Sequence, residues 1–215
     1  AIVEERMAAL CLRRGETDEA RQLLDNAQQH KEAVDRAAWD GEWYLRAYTD
    51  GGEPMGSRHN GEGRIDLLPQ AFAALSGMPN KQRLNQALDA CLERLVDREY
   101  GIVKLFDPPF DQFDAGYIRA YPKGIRENGG QYTHGAVWLM MALFHVGRCE
   151  EGYELLRMLN PAARCSDPEK ARRYGLEPYS MPADIYTHPG LEGRGGWSHY
   201  TGSAGWFYRA VLGSF

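Results

Sequence analysis

The chain has 215 residues, 43% apolar and 26% charged, which is typical of a globular protein with one large domain or two small ones. A net charge of −5 argues against nucleic acid as a main partner, because that ligand requires a dense cationic surface. The four cysteines are widely spaced without a CxxC pair, which favours reduced, buried thiols. No apolar run could cross a bilayer and no leader pattern opens the chain, so we expect a cytoplasmic protein.

The first two predicted helices form a hairpin. Helix one covers residues 2–13 and stops at Gly15. Thr17 is the expected N-cap of helix two, with acidic residues in its first turn and apolar residues at helical spacing through Ala27. Because residues 1–10 enter the first helix without a preceding cap, we expect a chain that starts inside a domain.

The second helix pair follows residues 39–64, which are expected to form a Gly-rich loop or short strands. Asp66 is the expected N-cap of helix three, whose apolar face runs to Leu75. Helix four has an apolar stripe from Leu84 to Val96 at the helical period.

Helix five, predicted over residues 133–146, is almost continuously apolar, and such a helix is buried on all sides. The polar, Gly-rich segment 124–134 leads into it from a long irregular region, residues 98–131. We therefore expect this segment to line an interior cavity, where free backbone N–H groups and the helix dipole favour anions.

The last part of the chain is predicted to contain two helices. Helix six covers residues 150–159 and ends at Asn160, before a proline. Residues 162–200 are expected to be mostly loop, and Thr201 opens the final helix.

Paired helices without a βαβ rhythm or a phosphate-loop motif predict an all-α fold. Helix pairs with long functional loops at one end are typical of an α/α barrel, of which 215 residues can supply at most half. Short strands are expected only within residues 39–64 and 98–131. A helical-hairpin interaction array is the competing architecture, although no repeat of about 34 residues is apparent.

Several long motifs match one known family in order. They are residues 39–48 (WDGEWYLRAY), 54–57 (PMGS), 104–110 (KLFDPPF), 126–134 (RENGGQYTH) and 195–206 (GGWSHYTGSAGW). Through them nearly the whole chain resembles glycoside hydrolase family 94, the inverting β-glucoside phosphorylases. It is similar in particular to the C-terminal phosphorylase-like domains of cyclic β-1,2-glucan synthases. The resemblance implies the C-terminal half of an (α/α)6-barrel catalytic domain, with residues 1–215 truncated on the N-terminal side.

The resemblance also implies binding residues. The family's phosphate site matches His134, Thr201 and Gly202, and the pair that contacts the sugars beside the scissile bond matches Arg126 and Glu127. Three further residues fall in segments that line the family's pocket: Gln131, Glu177 and Tyr179. The implied ligands are a β-glucan or gluco-oligosaccharide and inorganic phosphate as co-substrate, with no cofactor and no metal.

One departure from the family concerns catalysis. The family's general acid is an aspartate in a Trp-Asn-Asp type motif, which this chain lacks. In relatives that motif precedes the helix that begins here at Ala1, so no catalytic residue is expected in this chain. We expect the fragment alone to be inactive, with the upstream part of its own polypeptide as partner. The resemblance also allows a homodimer and a tether of the full-length protein to the inner membrane.

Taken singly, these residues have simpler explanations. Thr201 could be only an N-cap, His134 only a polar residue at a helix start, and Arg126–Glu127 only a surface ion pair. Aspartates 107, 111 and 114 are interpreted as turn formers rather than metal ligands.

The joint occurrence of the motifs favours phosphorolysis. Phosphate is already an anionic nucleophile, so the enzyme needs an anion site in place of the catalytic base of an inverting hydrolase. A two-acid barrel hydrolase, a glycan-binding remnant without turnover and a helical-hairpin interaction module stay open as alternatives. The glucan linkage also stays open, because β-1,2, β-1,3 and β-1,4 members share these motifs.

Overall fold

The computed structural model describes residues 1–213. That part of the chain contains a short 3-10 helix, Gly116–Ala120, and nine α-helices: α1 (Ile2–Arg14), α2 (Thr17–Ala37), α3 (Leu67–Leu75), α4 (Lys81–Arg94), α5 (Thr133–His145), α6 (Cys149–Leu159), α7 (Pro161–Arg164), α8 (Pro168–Tyr174) and α9 (Thr201–Gly213). Within residues 1–213, none of these helices has the length and hydrophobicity needed to cross a membrane.

Helices α1 and α2 form the predicted hairpin, with Ala8 and Cys11 buried against Ala20. Gly15 ends α1 in the left-handed conformation at φ 82°, where glycine has no Cβ penalty. The predicted N-cap is displaced by one residue, because Thr17 is the first residue of α2 and Glu16 precedes it. The N–H of Glu16 donates to the carbonyl oxygen of Cys11, and this turn sets the start of α2.

Helix α5 lies at the centre of the core. It packs against α3, α6 and α9, and residues such as Leu139 and Met140 are fully buried. This explains why its sequence is apolar all round. The Asp66 side chain accepts a hydrogen bond from the N–H of Leu68 at 2.8 Å, which confirms the predicted N-cap of α3.

Short strands tie the connecting segments together. In the described residues they form four antiparallel pairs: β1 (Ala47–Tyr48) with β2 (Pro54–Met55), β3 (Ile65–Asp66) with β6 (Phe106–Asp107), β4 (Val96–Asp97) with β5 (Ile102–Val103), and β7 (Gln131–Tyr132) with β8 (Asp184–Ile185). The expectation that strands occur only within residues 39–64 and 98–131 was wrong, most clearly for β8. Two-residue strands are formed by long-range pairing rather than by local propensity.

The segment 162–200 is also more ordered than predicted, because it contains most of α7 and all of α8. Asn160 and Asp167 cap these helices with their side chains, and a proline follows each of them at the first helical position. Both short helices are signalled by an Asx-Pro dipeptide, which the prediction treated only as a helix end or loop.

No pairing in the described residues extends beyond two strands. Consecutive helices pack in pairs, as in α1–α2, α3–α4 and α5–α6. The predicted class, an all-α fold that forms part of an (α/α) barrel with long connecting segments, is therefore confirmed.

Candidate functional site

Two segments distant in sequence meet where α5 begins. Strand β7 leads directly into α5, and β8 pairs with it in antiparallel register. The N–H of Thr133 donates to the carbonyl oxygen of Ala183 at 3.0 Å. The N–H of Tyr200 donates to the carbonyl oxygen of Met181, also at 3.0 Å. The start of α9 is thereby held beside the start of α5.

His134 stands in the first turn of α5 within an aromatic enclosure. Its ring stacks on Tyr132 with centroids 5.1 Å apart. The Tyr200 ring is perpendicular to it at 5.4 Å between centroids, and the Trp138 ring is tilted at 5.8 Å. Partial burial lowers the pKa of His134 and so favours the neutral imidazole. Its Nδ1 atom is buried without a hydrogen-bond partner.

The first turn of α9 faces the other side of this imidazole. A Cβ atom built on Gly202 would lie 2.4 Å from Nε2 of His134, so only glycine permits this approach. Thr201 is exposed at the first helical position, and buried Ser203 anchors the turn by donating to the carbonyl oxygen of Pro182 at 3.0 Å. Free N–H groups at such a helix start, next to a histidine nitrogen, are suited to bind an anion.

Arg126 and Glu127 form a second, partly buried group. The Arg126 guanidinium lies 5.6 Å from the Tyr121 ring centroid and 5.4 Å from that of Trp197. Its Nε is 3.6 Å from Oε2 of Glu127, and their side chains are 22% and 17% exposed. The two residues are therefore not an exposed surface ion pair. Arg126 also adopts a positive φ of 50°, which is uncommon outside glycine and occurs mainly at constrained sites.

Asp184 is a buried carboxylate that sequence reasoning did not select. It is only 1% exposed, and its Oδ1 accepts a 3.4 Å hydrogen bond from the N–H of Trp197. Burial raises the pKa of Asp184, and the Trp197 hydrogen bond and the Arg126 charge oppose this rise. The position of the Asp184 carboxylate requires glycine at residue 196, because a Cβ atom there would lie 2.1 Å from Oδ1. The sequence signal was an acid inside the otherwise apolar run 181–185.

Buried polar atoms without hydrogen-bond partners concentrate in this region. Among residues 1–213, the site contains five of them: Arg126 Nε, Glu127 Oε2, His134 Nδ1, Trp138 Nε1 and Asp184 Oδ2. Such atoms cost free energy unless they serve a ligand, a water or a reaction. Their concentration makes this region the candidate site for a polar ligand.

The remaining three predicted residues occupy different places. Gln131 is fully buried; its Oε1 accepts from the N–H of Val103 at 2.9 Å, so it links β7 to β5. Glu177 and Tyr179 both lie next to His199. Oε2 of Glu177 is 4.0 Å from Nδ1 of His199, and the centroids of the Tyr179 and His199 rings are 6.2 Å apart. They form an outer rim next to the start of α9. For all three, a role in binding sugar stays a prediction.

No group of three or more potential metal ligands occurs among the described residues. The three spaced aspartates have other partners. Asp107 and Asp111 pair with Lys104 and Lys123 at 2.9 and 2.8 Å. Asp114 accepts a hydrogen bond from the N–H of Gly116 at 3.2 Å, as a turn former does.

Comparison with known proteins gives one family. The model described as "Glycosyl hydrolase 94 superfamily, catalytic domain" matches residues 2–214. The chain is 50% identical over 182 residues to the cyclic beta-(1,2)-glucan synthase NdvB of Rhizobium meliloti (strain 1021). It is 36% identical over 196 residues to solabiose phosphorylase of Paenibacillus borealis, and 31% over 204 residues to N,N'-diacetylchitobiose phosphorylase of Vibrio proteolyticus.

These matches cover 84%, 89% and 92% of the present chain. They cover only 6% of the synthase and 25% of each phosphorylase. The chain therefore corresponds to a minor part of each relative.

Proposed function

Because the chain belongs to the glycosyl hydrolase 94 superfamily, we propose that it is part of an enzyme that cleaves a β-glucan or β-linked gluco-oligosaccharide by reversible phosphorolysis. A phosphate oxygen attacks the anomeric carbon, the glycosidic C–O bond breaks, and α-glucose 1-phosphate forms with inversion. The leaving oxygen takes its proton from a carboxylic acid that we assign to an upstream part of the polypeptide.

The contact between His134 and the start of α9 carries this proposal. Phosphate needs hydrogen-bond donors and no opposing carboxylate, and the first turn of α9 offers free N–H groups and the Thr201 hydroxyl. The tautomer of His134 protonated on Nε2 adds a donor beside Gly202. Hydrogen bonds to a charged group contribute about 1.5–3 kcal/mol each, so a few of them hold the nucleophile.

The sugars are assigned to the second group of residues. Arg126 is fixed between two aromatic rings and can donate to sugar oxygens. Oε2 of Glu127 and Oδ2 of Asp184 accept no hydrogen bond from the protein and can accept from sugar hydroxyls. Trp197, which is 67% exposed, offers a flat apolar face to a sugar ring.

The phosphate assignment predicts a specific titration. Without ligand, NMR should give His134 a pKa below its ordinary value of 6.5, because burial favours the neutral form. Inorganic phosphate should raise this pKa, because an adjacent anion favours the imidazolium. Exposed His145, at the other end of α5, is the matched control, and phosphate should leave its NMR signals in place.

Thr201→Val, which removes the hydroxyl but keeps the side-chain shape, should shift the response to higher phosphate concentration. If saturating phosphate leaves the pKa of His134 unchanged, phosphate does not bind at this helix start.

A further inference from the structure

A second pocket is formed by residues other than those of the site around His134 and Arg126. It has a volume of about 630 Å³ and lies between the turn of the β4–β5 hairpin, α6 and the two short helices α7 and α8. This volume falls within the range of about 300–1,000 Å³ for small-molecule sites.

The wall of this pocket contains a buried cation without a counter-charge. Arg164 is only 9% exposed, and no carboxylate within residues 1–213 pairs with it. Its Nη2 donates to the carbonyl oxygen of Gly101, and its guanidinium carbon lies 5.8 Å from the centroid of the Tyr174 ring. Burial lowers the pKa of Arg164 to about 10, so the side chain is still a cation at pH 7. A buried charge of this kind is costly, and a bound anion would compensate it.

Unpartnered polar atoms mark the same wall. Seven buried side-chain nitrogen or oxygen atoms in the described residues lack a hydrogen-bond partner, and five of them belong to the site around His134 and Arg126. The other two are Nε of Arg164 and the hydroxyl oxygen of Tyr174, and both residues line this pocket. Burial raises the pKa of Tyr174 to about 12, so its hydroxyl keeps its proton and can donate to an anion.

Exposed cations surround the buried one. The pocket wall includes four of them: Arg98, Arg157, Lys170 and Arg173. Within residues 1–213, Arg157 has no carboxylate partner. The chain as a whole carries a net charge of −5, so this cluster of positive charge is local.

The carboxylates of the pocket wall oppose an anion only weakly. Glu154 is already paired with Arg98 at 2.7 Å. Glu99 and Glu150 are exposed, so water and salt screen their charges, whereas Arg164 is buried and is screened much less.

These features together favour a phosphate group as the ligand. A neutral ligand would leave the charge of Arg164 uncompensated. A phosphate group carries up to two negative charges and enough acceptor oxygens for Arg164, Tyr174 and a cation of the rim. The pocket is larger than one phosphate ion requires, and the rings of Tyr100 and Tyr153 also line it, which leaves room for the rest of an ester.

We propose that this pocket binds the phosphate group of a small phosphate ester, with Arg164 as the buried counter-charge. The pocket is separate from the phosphate site assigned to the start of α9, and the inference does not depend on phosphorolysis.

The test measures binding of inorganic phosphate and of glucose 6-phosphate to the full-length protein by calorimetry. Every sample carries His134→Ala, so that the site at the start of α9 does not contribute. Both ligands should bind. Arg164→Met should weaken the binding of each about 10- to 100-fold, as expected for lost charge-assisted hydrogen bonds. Arg164→Lys, which keeps the charge, should restore part of the affinity.

A second variant tests the pocket without altering a buried residue. Arg157→Gln should weaken the binding of glucose 6-phosphate about two- to fivefold, and more at low salt. Arg172→Gln is the matched control, because Arg172 is exposed on α8 outside the pocket wall, and it should leave the affinity unchanged. Thermal unfolding should show that the variants are folded; if Arg164→Met does not fold, the comparison of Arg157→Gln with Arg172→Gln decides the outcome.

Affinities that neither Arg164→Met nor Arg157→Gln lowers would overturn the inference, and so would binding of inorganic phosphate without binding of the ester. Either result would leave the proposed phosphorolysis intact, because it is obtained in a protein without His134. Failure of phosphorolysis would equally leave the result for this pocket unchanged.

Discussion

Gly202→Ala separates the function of the α9 start from its stability. The new Cβ would lie 2.4 Å from Nε2 and 2.8 Å from Cε1 of His134, whereas ordinary contacts are 3.4–4 Å. The imidazole must therefore move by about 1 Å, and Tyr132 and Tyr200 restrict where it can go. A misplacement of about 1 Å can cost about 100-fold in rate, or roughly 2.7 kcal/mol.

Stability should respond much less than turnover. Position 202 is exposed and helical, where alanine is favoured over glycine by up to about 1 kcal/mol. The cost of moving the imidazole opposes this gain, so we expect Gly202→Ala to change the free energy of unfolding by no more than about 2 kcal/mol, while phosphate-dependent turnover of the full-length protein falls about 100-fold.

Gly205→Ala is the matched control, because Gly205 is exposed on the same helix with nothing within 4 Å of the added Cβ. It should gain up to about 1 kcal/mol of stability from helix propensity, without loss of turnover. Wild-type turnover in Gly202→Ala, or an equal loss in Gly205→Ala, would refute the assignment of His134 and α9 to one phosphate site.

Three further predictions concern the buried Asp66, the Asp184 carboxylate next to Gly196, and Leu139 in the core. The pKa of Asp66 rises from 3.8 to about 6 on folding, so stability should fall by roughly 3 kcal/mol as pH rises through this range. Asp66→Asn should flatten that part of the profile in urea unfolding between pH 3.5 and pH 6.5; an unchanged slope would contradict the assigned burial. Gly196→Ala should displace the Asp184 carboxylate and weaken gluco-oligosaccharide binding by about 10- to 100-fold in calorimetry, whereas Gly205→Ala should not. Leu139→Ala should lower the free energy of unfolding by about 2–5 kcal/mol, since this side chain is fully buried; a cost below about 1 kcal/mol would remove α5 from the core.

The helical class and most helix positions follow from the sequence, because their signals are local. The apolar run of α5 predicts a central helix, and Asp66 before an apolar face predicts an N-cap. These features depend on residues within a few positions of each other. The structure reproduces them closely.

The residues of the site could be predicted from the sequence only in part. That His134 belongs with Thr201 and Gly202 was suggested by the family resemblance, since residues almost 70 positions apart leave no local signal. Asp184 was missed because its position depends on the pairing of β8 with β7. Such a two-residue strand is stabilised only by its distant partner.

The central claim is phosphate-dependent cleavage. The most direct measurement incubates the full-length protein with β-1,2-linked gluco-oligosaccharides, with and without inorganic phosphate, and follows α-glucose 1-phosphate and free sugars. The account predicts release of α-glucose 1-phosphate only when phosphate is present, with loss of this release in His134→Ala and Thr201→Ala. Release of free glucose at the same rate without phosphate would identify a hydrolase and contradict the account.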